Sequence, residues 1–140
     1  MFKVEISLLF RMLLVSLLIS LSFGSLILAS GEPTVRITGT YSDMRFIKEA
    51  GDVLGTEIKI VHARDHFQGA LQFAEGAPEE LTVVNIESSG SSIQFVIPDG
   101  NPYAGKFSGT IENGWLRGEF HFKSGGENKV ALRKGKSYWD

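Results

Sequence analysis

From about residue 35 onward, apolar and polar side chains alternate along the chain, and turn residues interrupt the alternation at short intervals. A period of two places every second side chain on the same face of a strand, and short strands separated by turns are typical of an antiparallel meander. The pattern predicts eight strands, over residues 35–41, 55–63, 66–74, 81–87, 92–97, 104–112, 115–122 and 129–134.

The strongest hairpin signal is Asn113-Gly114, because a type I′ turn needs positive φ at both central positions. A two-residue loop there fixes a register that sorts the side chains by polarity, which supports the assignment. The inward pairs are Ile111 with Leu116, Gly109 with Gly118 and Phe107 with Phe120, and the outward pairs are Thr110 with Arg117, Ser108 with Glu119 and Lys106 with His121.

Two further turns pass the same test of register. A turn at Arg64-Asp65 pairs Ile58 with Leu71, Ile60 with Gly69 and His62 with Phe67. A turn at Ser89-Gly90 pairs Ile86 with Ile93 and Val84 with Phe95 inside, and Asn85 with Gln94 outside.

These hairpins predict an all-β domain over residues 31–140. Closing the meander into an up-and-down barrel of about eight strands would remove the two exposed edges of an open sheet, and a two-sheet sandwich is the alternative. Inward glycines at positions 69, 109 and 118 suit the sharp coiling of a small barrel. Residues 42–54 depart from the strand pattern, and we expect a continued, bent first strand that turns at Ala50-Gly51, with a short helix as the alternative.

Residues 1–30 have the layout of a targeting segment. Lys3 and Arg11 are followed by an uncharged run from Met12 to Ala29, and small residues suited to cleavage occur at Ser22-Phe23-Gly24 and around Ala29-Ser30. We therefore expect a signal peptide that is cleaved, or an uncleaved hydrophobic helix that tethers the chain to a membrane through residues 12–29. Either outcome exports residues 31–140 to the periplasm or the exterior.

Composition removes several classes of function. The 140-residue chain holds no cysteine, so disulfides and thiolate chemistry are excluded. Without Lys3, Arg11 and Glu5, 12 basic and 15 acidic residues remain of 14 and 16, a net charge of −3. A mildly acidic domain is a poor candidate for binding nucleic acid, because phosphate neutralisation supplies much of that affinity.

Short motifs resemble known families. Gly39-Thr40-Tyr41 resembles the Gly-x-Trp opening of the lipocalins, and Arg133 lies where lipocalin-like barrels carry an arginine across that aromatic. The segments 39–45, 51–57, 72–76 and 135–139 resemble a group of small exported bacterial proteins without an assigned activity. The resemblance implies an exported β-barrel and no particular chemistry.

Catalytic and metal-binding patterns are weak. His62, Asp65 and His66 flank one turn, but the register directs the two histidines apart. The acidic side chains show no spacing that would bring two carboxylates together, and the chain lacks a G-x-S-x-G elbow. We therefore expect a non-enzymatic protein without a metal or another cofactor.

The inward aromatic side chains are the best candidates for a ligand site. They would line a cavity for a small apolar ligand, or else fill the barrel as a solid core, which we expect for so small a domain. Tyr138 and Trp139 in the tail would plug one end of the barrel, or form an exposed contact for an envelope protein or a membrane interface. The cavity-lining candidates are Tyr41, Phe67, Phe73, Phe95, Phe107, Phe120 and Phe122.

The targeting assignment predicts a shortened mature protein. N-terminal sequencing of the native protein should start after Gly24 or near Ser30, because signal peptidases cut after small residues that follow the apolar run. A native chain that still begins at Met1 would identify the segment as an uncleaved anchor.

Overall fold

Residues 35–140 are described by a computed structural model, in which every strand pairs antiparallel with its neighbours. The predicted targeting segment, residues 1–30, lies outside the described residues. No helix within residues 35–140 is long and apolar enough to cross a membrane. The strands are β1 Gly39–Ser42, β2 Arg45–Ile47, β3 Asp52–Ala63, β4 His66–Gly76, β5 Thr82–Ser89, β6 Ser92–Ile97, β7 Gly105–Glu112, β8 Trp115–Phe122 and β9 Glu127–Gly135.

The short strand β1 closes the sheet into a barrel. On one side it pairs with β3, where Tyr41 lies opposite Ile58, and on the other it pairs with β9, where Tyr41 lies opposite Lys134. Strands β3 to β9 follow one another around the wall in chain order. Because β1 and β2 lie in one register along β3 and count as one strand of the barrel, the predicted up-and-down barrel of about eight strands is confirmed, and the sandwich alternative is wrong.

Residues 42–54 form a bent strand and a turn, as expected. β1 and β2 keep one common register along β3, interrupted only at Asp43 and Met44. At the interruption, the Asp43 carboxylate accepts a hydrogen bond of 2.6 Å from the Thr56 amide. The chain then reverses where the Gly51 amide donates to the Ile47 carbonyl.

Two of the three predicted hairpin registers are confirmed pair for pair, those at Asn113-Gly114 and at Arg64-Asp65. The third is wrong by two residues. Its turn is Gly90-Ser91, so that Ile86 lies opposite Phe95. Gly90 has φ of 59° and occupies the first turn position, which shifts the pairing. A shift of two residues leaves each side chain on its predicted face.

The cation over the Tyr41 ring belongs to Lys134. Its ammonium lies 5.5 Å from the ring centroid and donates to the Arg36 carbonyl at 3.2 Å. The expectation that Arg133 packs across this aromatic is wrong, because Arg133 points outward and is exposed. Tyr41 itself is fully buried, and its hydroxyl donates to the Ile37 carbonyl at 2.9 Å. Burial raises the pKa of Tyr41.

Paired glycines make room for an aromatic ring inside the barrel. Gly109 and Gly118 lie opposite each other on β7 and β8, and the Phe107 ring packs over both. A β-carbon at Gly118 would lie 2.5 Å from Phe107 Cζ and closer still to the Ser108 carbonyl oxygen. The absence of side chains at these two positions is therefore a packing requirement.

This packing predicts that Gly118→Ala destabilises the domain. Forcing a methyl group against a backbone carbonyl and a buried ring should lower the free energy of unfolding by about 1–3 kcal/mol. Denaturant titration followed by circular dichroism measures the change. Gly135→Ala is the matched control, because no atom lies within 4 Å of a β-carbon there. Equal stability of the two variants would contradict the packing account.

Candidate functional site

The predicted cavity-lining side chains meet inside the barrel. Phe95 stacks on Phe107 with centroids 4.8 Å apart, and Phe120 lies 4.6 Å from Phe107 and 5.2 Å from Phe73. Rings at these distances are in van der Waals contact, so side chains occupy the space between them. Tyr41, Phe73, Phe95, Phe107 and Phe120 are buried, and Phe67 and Phe122 are partly buried against the same cluster.

Tyr103, which the strand pattern did not single out, covers this aromatic cluster at the end of the barrel away from the two-residue hairpins. Its ring stacks on Phe73 at 4.4 Å and packs edge-on to Phe122 at 6.1 Å. Burial, followed by the nearby carboxylates of Glu75 and Glu79, raises the pKa of Tyr103. It lies in the loop between β6 and β7, where a period-two pattern gives no signal.

Between β5 and β6 the wall of the barrel separates. The two strands pair only from Ile86 opposite Phe95 to the turn, and within the described chain no pairing continues beyond that point. The same register would set Pro98 opposite Val83, and proline has no amide hydrogen to extend a ladder. At the mouth of the separation, the Asn101 side chain donates to the Thr82 hydroxyl at 2.7 Å.

A groove of about 560 Å³ lies along this separation. Inward-facing Val84, Phe95 and Phe107 contribute to its lining, so the groove reaches the edge of the core. Outward-facing Val83 and Val96 border it with 65% and 55% of their surfaces exposed. Its remaining lining residues are Asn85, Glu87, Gln94, Pro98, Lys106, Ser108 and His121.

The groove combines the three features of a binding site for an extended chain. Its floor, Val84 and Phe95, and its rim, Val83 and Val96, are apolar, and polar and charged side chains make up most of the rest of its lining. The backbone edges of β5 and β6 face each other there without pairing. A second concavity of about 590 Å³ lies on the outer face nearer the Gly90-Ser91 turn, bordered mainly by serine, threonine, glutamine and glutamate side chains. The groove between β5 and β6 exposes more apolar surface than this second concavity, so we take the groove as the candidate site.

Beside the groove, three potential metal ligands come together. Glu119 and His121 lie on the outer face of β8, and Glu127 lies opposite His121 on β9. One ligand atom from each residue lies within 4.8 Å of the others. The strand pattern did not indicate this cluster, because the predicted last strand starts at residue 129, whereas β9 begins at Glu127.

The histidines at the Arg64-Asp65 turn stand apart, as the register predicted. His66 Nδ1 lies 3.2 Å from the Asp65 carboxylate, and the pKa of that carboxyl is lowered chiefly by this hydrogen bond. His62 instead packs edge-on against Phe67, with ring centroids 5.0 Å apart. The turn therefore does not bring both imidazoles to one ligand.

The C-terminal tail lies against the outer wall of β3 and β4. The buried Glu57 carboxylate accepts hydrogen bonds from the Ser137 hydroxyl at 2.6 Å and the Tyr138 amide at 2.8 Å. The Trp139 indole donates to Gln72 Oε1 at 2.9 Å. The expectation that the tail plugs one end of the barrel is wrong, because the Glu57 carboxylate and the Gln72 amide bind it on the side.

Comparison with protein-family models, with curated proteins and with solved structures gives no match for this chain. The site therefore has to be interpreted from its own geometry.

The separation of β5 and β6 predicts uneven hydrogen exchange. Every second amide in residues 82–85 and 96–97 should exchange at least about tenfold faster than the amides of the paired segments 86–89 and 92–95, since an amide without a ladder partner is open to water. Residue-resolved exchange by NMR measures this difference. Uniform protection along both strands would mean that the wall is closed in solution.

Proposed function

We propose that this protein is an exported, non-enzymatic binding domain that holds an extended polypeptide segment in the groove between β5 and β6. The observation that carries the proposal is the interrupted ladder. Residues 82–85 and 96–97 face each other without pairing, and two of them, Val83 and Val96, are exposed apolar side chains.

An extended segment suits this groove for a physical reason. Strand edges without a partner hold backbone donors and acceptors in a row, and a peptide that adds as a strand satisfies them. Alternate side chains of such a peptide would point toward the apolar floor at Val84 and Phe95 and away from it. Backbone hydrogen bonds would supply affinity, and the floor would select apolar residues.

The interior of the barrel is filled by aromatic side chains, which supports a binding site on the wall. A ligand inside the barrel would have to displace the mutually packed rings of Phe73, Phe107 and Phe120. Removing large side chains from a packed core is strongly unfavourable, of the order of 3–5 kcal/mol for a phenylalanine truncated to alanine. Binding on the wall avoids this rearrangement.

The compartment in the proposal rests on the sequence of residues 1–30. Export would bring the groove into contact with proteins of the cell envelope. An envelope protein with an exposed, extended segment is a suitable partner. The absence of cysteine suits this role, since nothing in the domain depends on the redox state of the compartment.

The tail is a second candidate for partner contact. Trp139 exposes 58% of its surface although its indole is hydrogen-bonded to Gln72. Aromatic side chains with one bonded end and an exposed face are common in protein interfaces. A Trp139→Ala variant separates this candidate from the groove.

Selection from a displayed library of random peptides tests the proposal. Immobilised protein should enrich peptides with alternating apolar residues. The single variants Val83→Glu and Val96→Glu should each weaken binding of the selected peptides at least about tenfold, because a buried carboxylate would be desolvated. Fluorescence anisotropy of labelled peptides gives the dissociation constants.

Val61→Glu is the matched control, an exposed valine on the outer face of β3 with 44% of its surface accessible. It should leave peptide binding unchanged. The proposal is wrong if no peptide is enriched or if all three glutamate variants bind alike. Loss of binding in Trp139→Ala alone would move the site to the tail.

A further inference from the structure

We infer that Glu119, His121 and Glu127 form a binding site for a zinc-like divalent transition-metal ion on the outer wall of the barrel. His121 also lines the groove, but the three ligands lie on β8 and β9 and do not involve the unpaired edges of β5 and β6, so the inference does not depend on the proposed function. Its ligand set would be one imidazole nitrogen and one oxygen from each carboxylate.

The backbone holds these three residues on one platform. Glu119 and His121 are two residues apart on β8 and so project from the same face. Glu127 is the direct cross-strand partner of His121 on β9. Paired neighbours in a sheet have side chains about 4.5–5.5 Å apart at Cβ, which allows all three to reach one ion.

His121 lies between the two carboxylates, and each carboxylate approaches a different ring nitrogen. His121 Nε2 lies 3.5 Å from Glu119 Oε2, and His121 Nδ1 lies 3.1 Å from Glu127 Oε1. Ligands about 2.0–2.2 Å from zinc at tetrahedral angles are separated by about 3.3–3.6 Å. Nε2 of His121 would bind the ion beside Glu119, and Glu127, whose side chain is 62% exposed, would turn from Nδ1 toward the ion. Water would take the fourth position.

One oxygen of the Glu119 carboxylate, Oε1, has no hydrogen-bond donor in the described chain, and the other, Oε2, faces His121. Glu119 Oε1 is also shielded from solvent. A buried carboxylate oxygen without a partner is destabilising, and such atoms in folded proteins usually bind water or an ion. Lys129 Nζ lies 3.9 Å from this oxygen, on a side chain that is 84% exposed.

The donor set selects the class of metal. An imidazole with two carboxylates suits zinc and neighbouring transition ions, whereas calcium and magnesium prefer sites made of oxygen atoms alone. Lys129 beside Glu119 and Lys106 beside His121 oppose a cation electrostatically. We therefore expect modest affinity.

Isothermal titration of the untagged protein with zinc chloride tests the site. We expect one saturable site per chain, with affinity reduced at least about tenfold in His121→Ala and in Glu127→Gln. His66→Ala is the matched control, an exposed histidine beside a carboxylate, and should bind zinc as the unaltered protein does. Calcium chloride in place of zinc should give no saturable heat.

Circular dichroism of each variant confirms folding before the titrations are compared. The inference is overturned if the unaltered protein shows no saturable binding, if His121→Ala binds as tightly as the unaltered protein, or if His66→Ala abolishes binding and so moves the site to the other turn. Saturable calcium binding of equal strength would overturn the metal class.

Discussion

The barrel depends on a closing strand of four residues. β1 runs only from Gly39 to Ser42, yet it pairs with β3 on one side and with β9 on the other. Its inward side chain, Tyr41, is fully buried between those strands and is held by the Ile37 carbonyl and the Lys134 ammonium. Without this seam the sheet would expose two long edges, and the inward faces of eight strands would no longer enclose a core.

Closure of the barrel also limits the space that is left for a ligand. A small eight-stranded barrel has just enough internal width for its own side chains. Here the aromatic rings are in mutual contact, and Gly109 and Gly118 give space to Phe107 and not to a ligand. The proposed binding therefore lies on the wall, which separates between β5 and β6, where Pro98 has no amide hydrogen to extend the ladder. The proposed groove is a local consequence of the early end of the β5–β6 pairing at Ile86 and Phe95.

The sequence predicted the parts of this fold that depend on local periodicity and turn chemistry. Asn113-Gly114 determined its hairpin pair for pair because few other residues tolerate positive φ at both positions. The Ser89-Gly90 assignment failed because serines surround one glycine there, and polarity alone cannot separate registers that differ by two residues.

The candidate sites were much harder to predict. The groove depends on which residues of β5 and β6 do not pair, and alternation continues across Thr82–Asn85 whether or not a partner is present. The Glu119, His121 and Glu127 cluster depends on where β9 begins, and strand ends are poorly defined in sequence. Tyr103 and the tail contacts of Glu57 depend on loops, where no period applies.

The central claim is that the barrel wall binds ligands and its interior does not. Chemical-shift mapping by NMR with a small apolar fluorophore as the probe tests this most directly. The account predicts saturable shifts confined to residues 83–85 and 94–98, with the ring signals of Tyr41 and Phe120 unchanged. Shifts centred on those interior rings, with residues 83–85 unaffected, would contradict it.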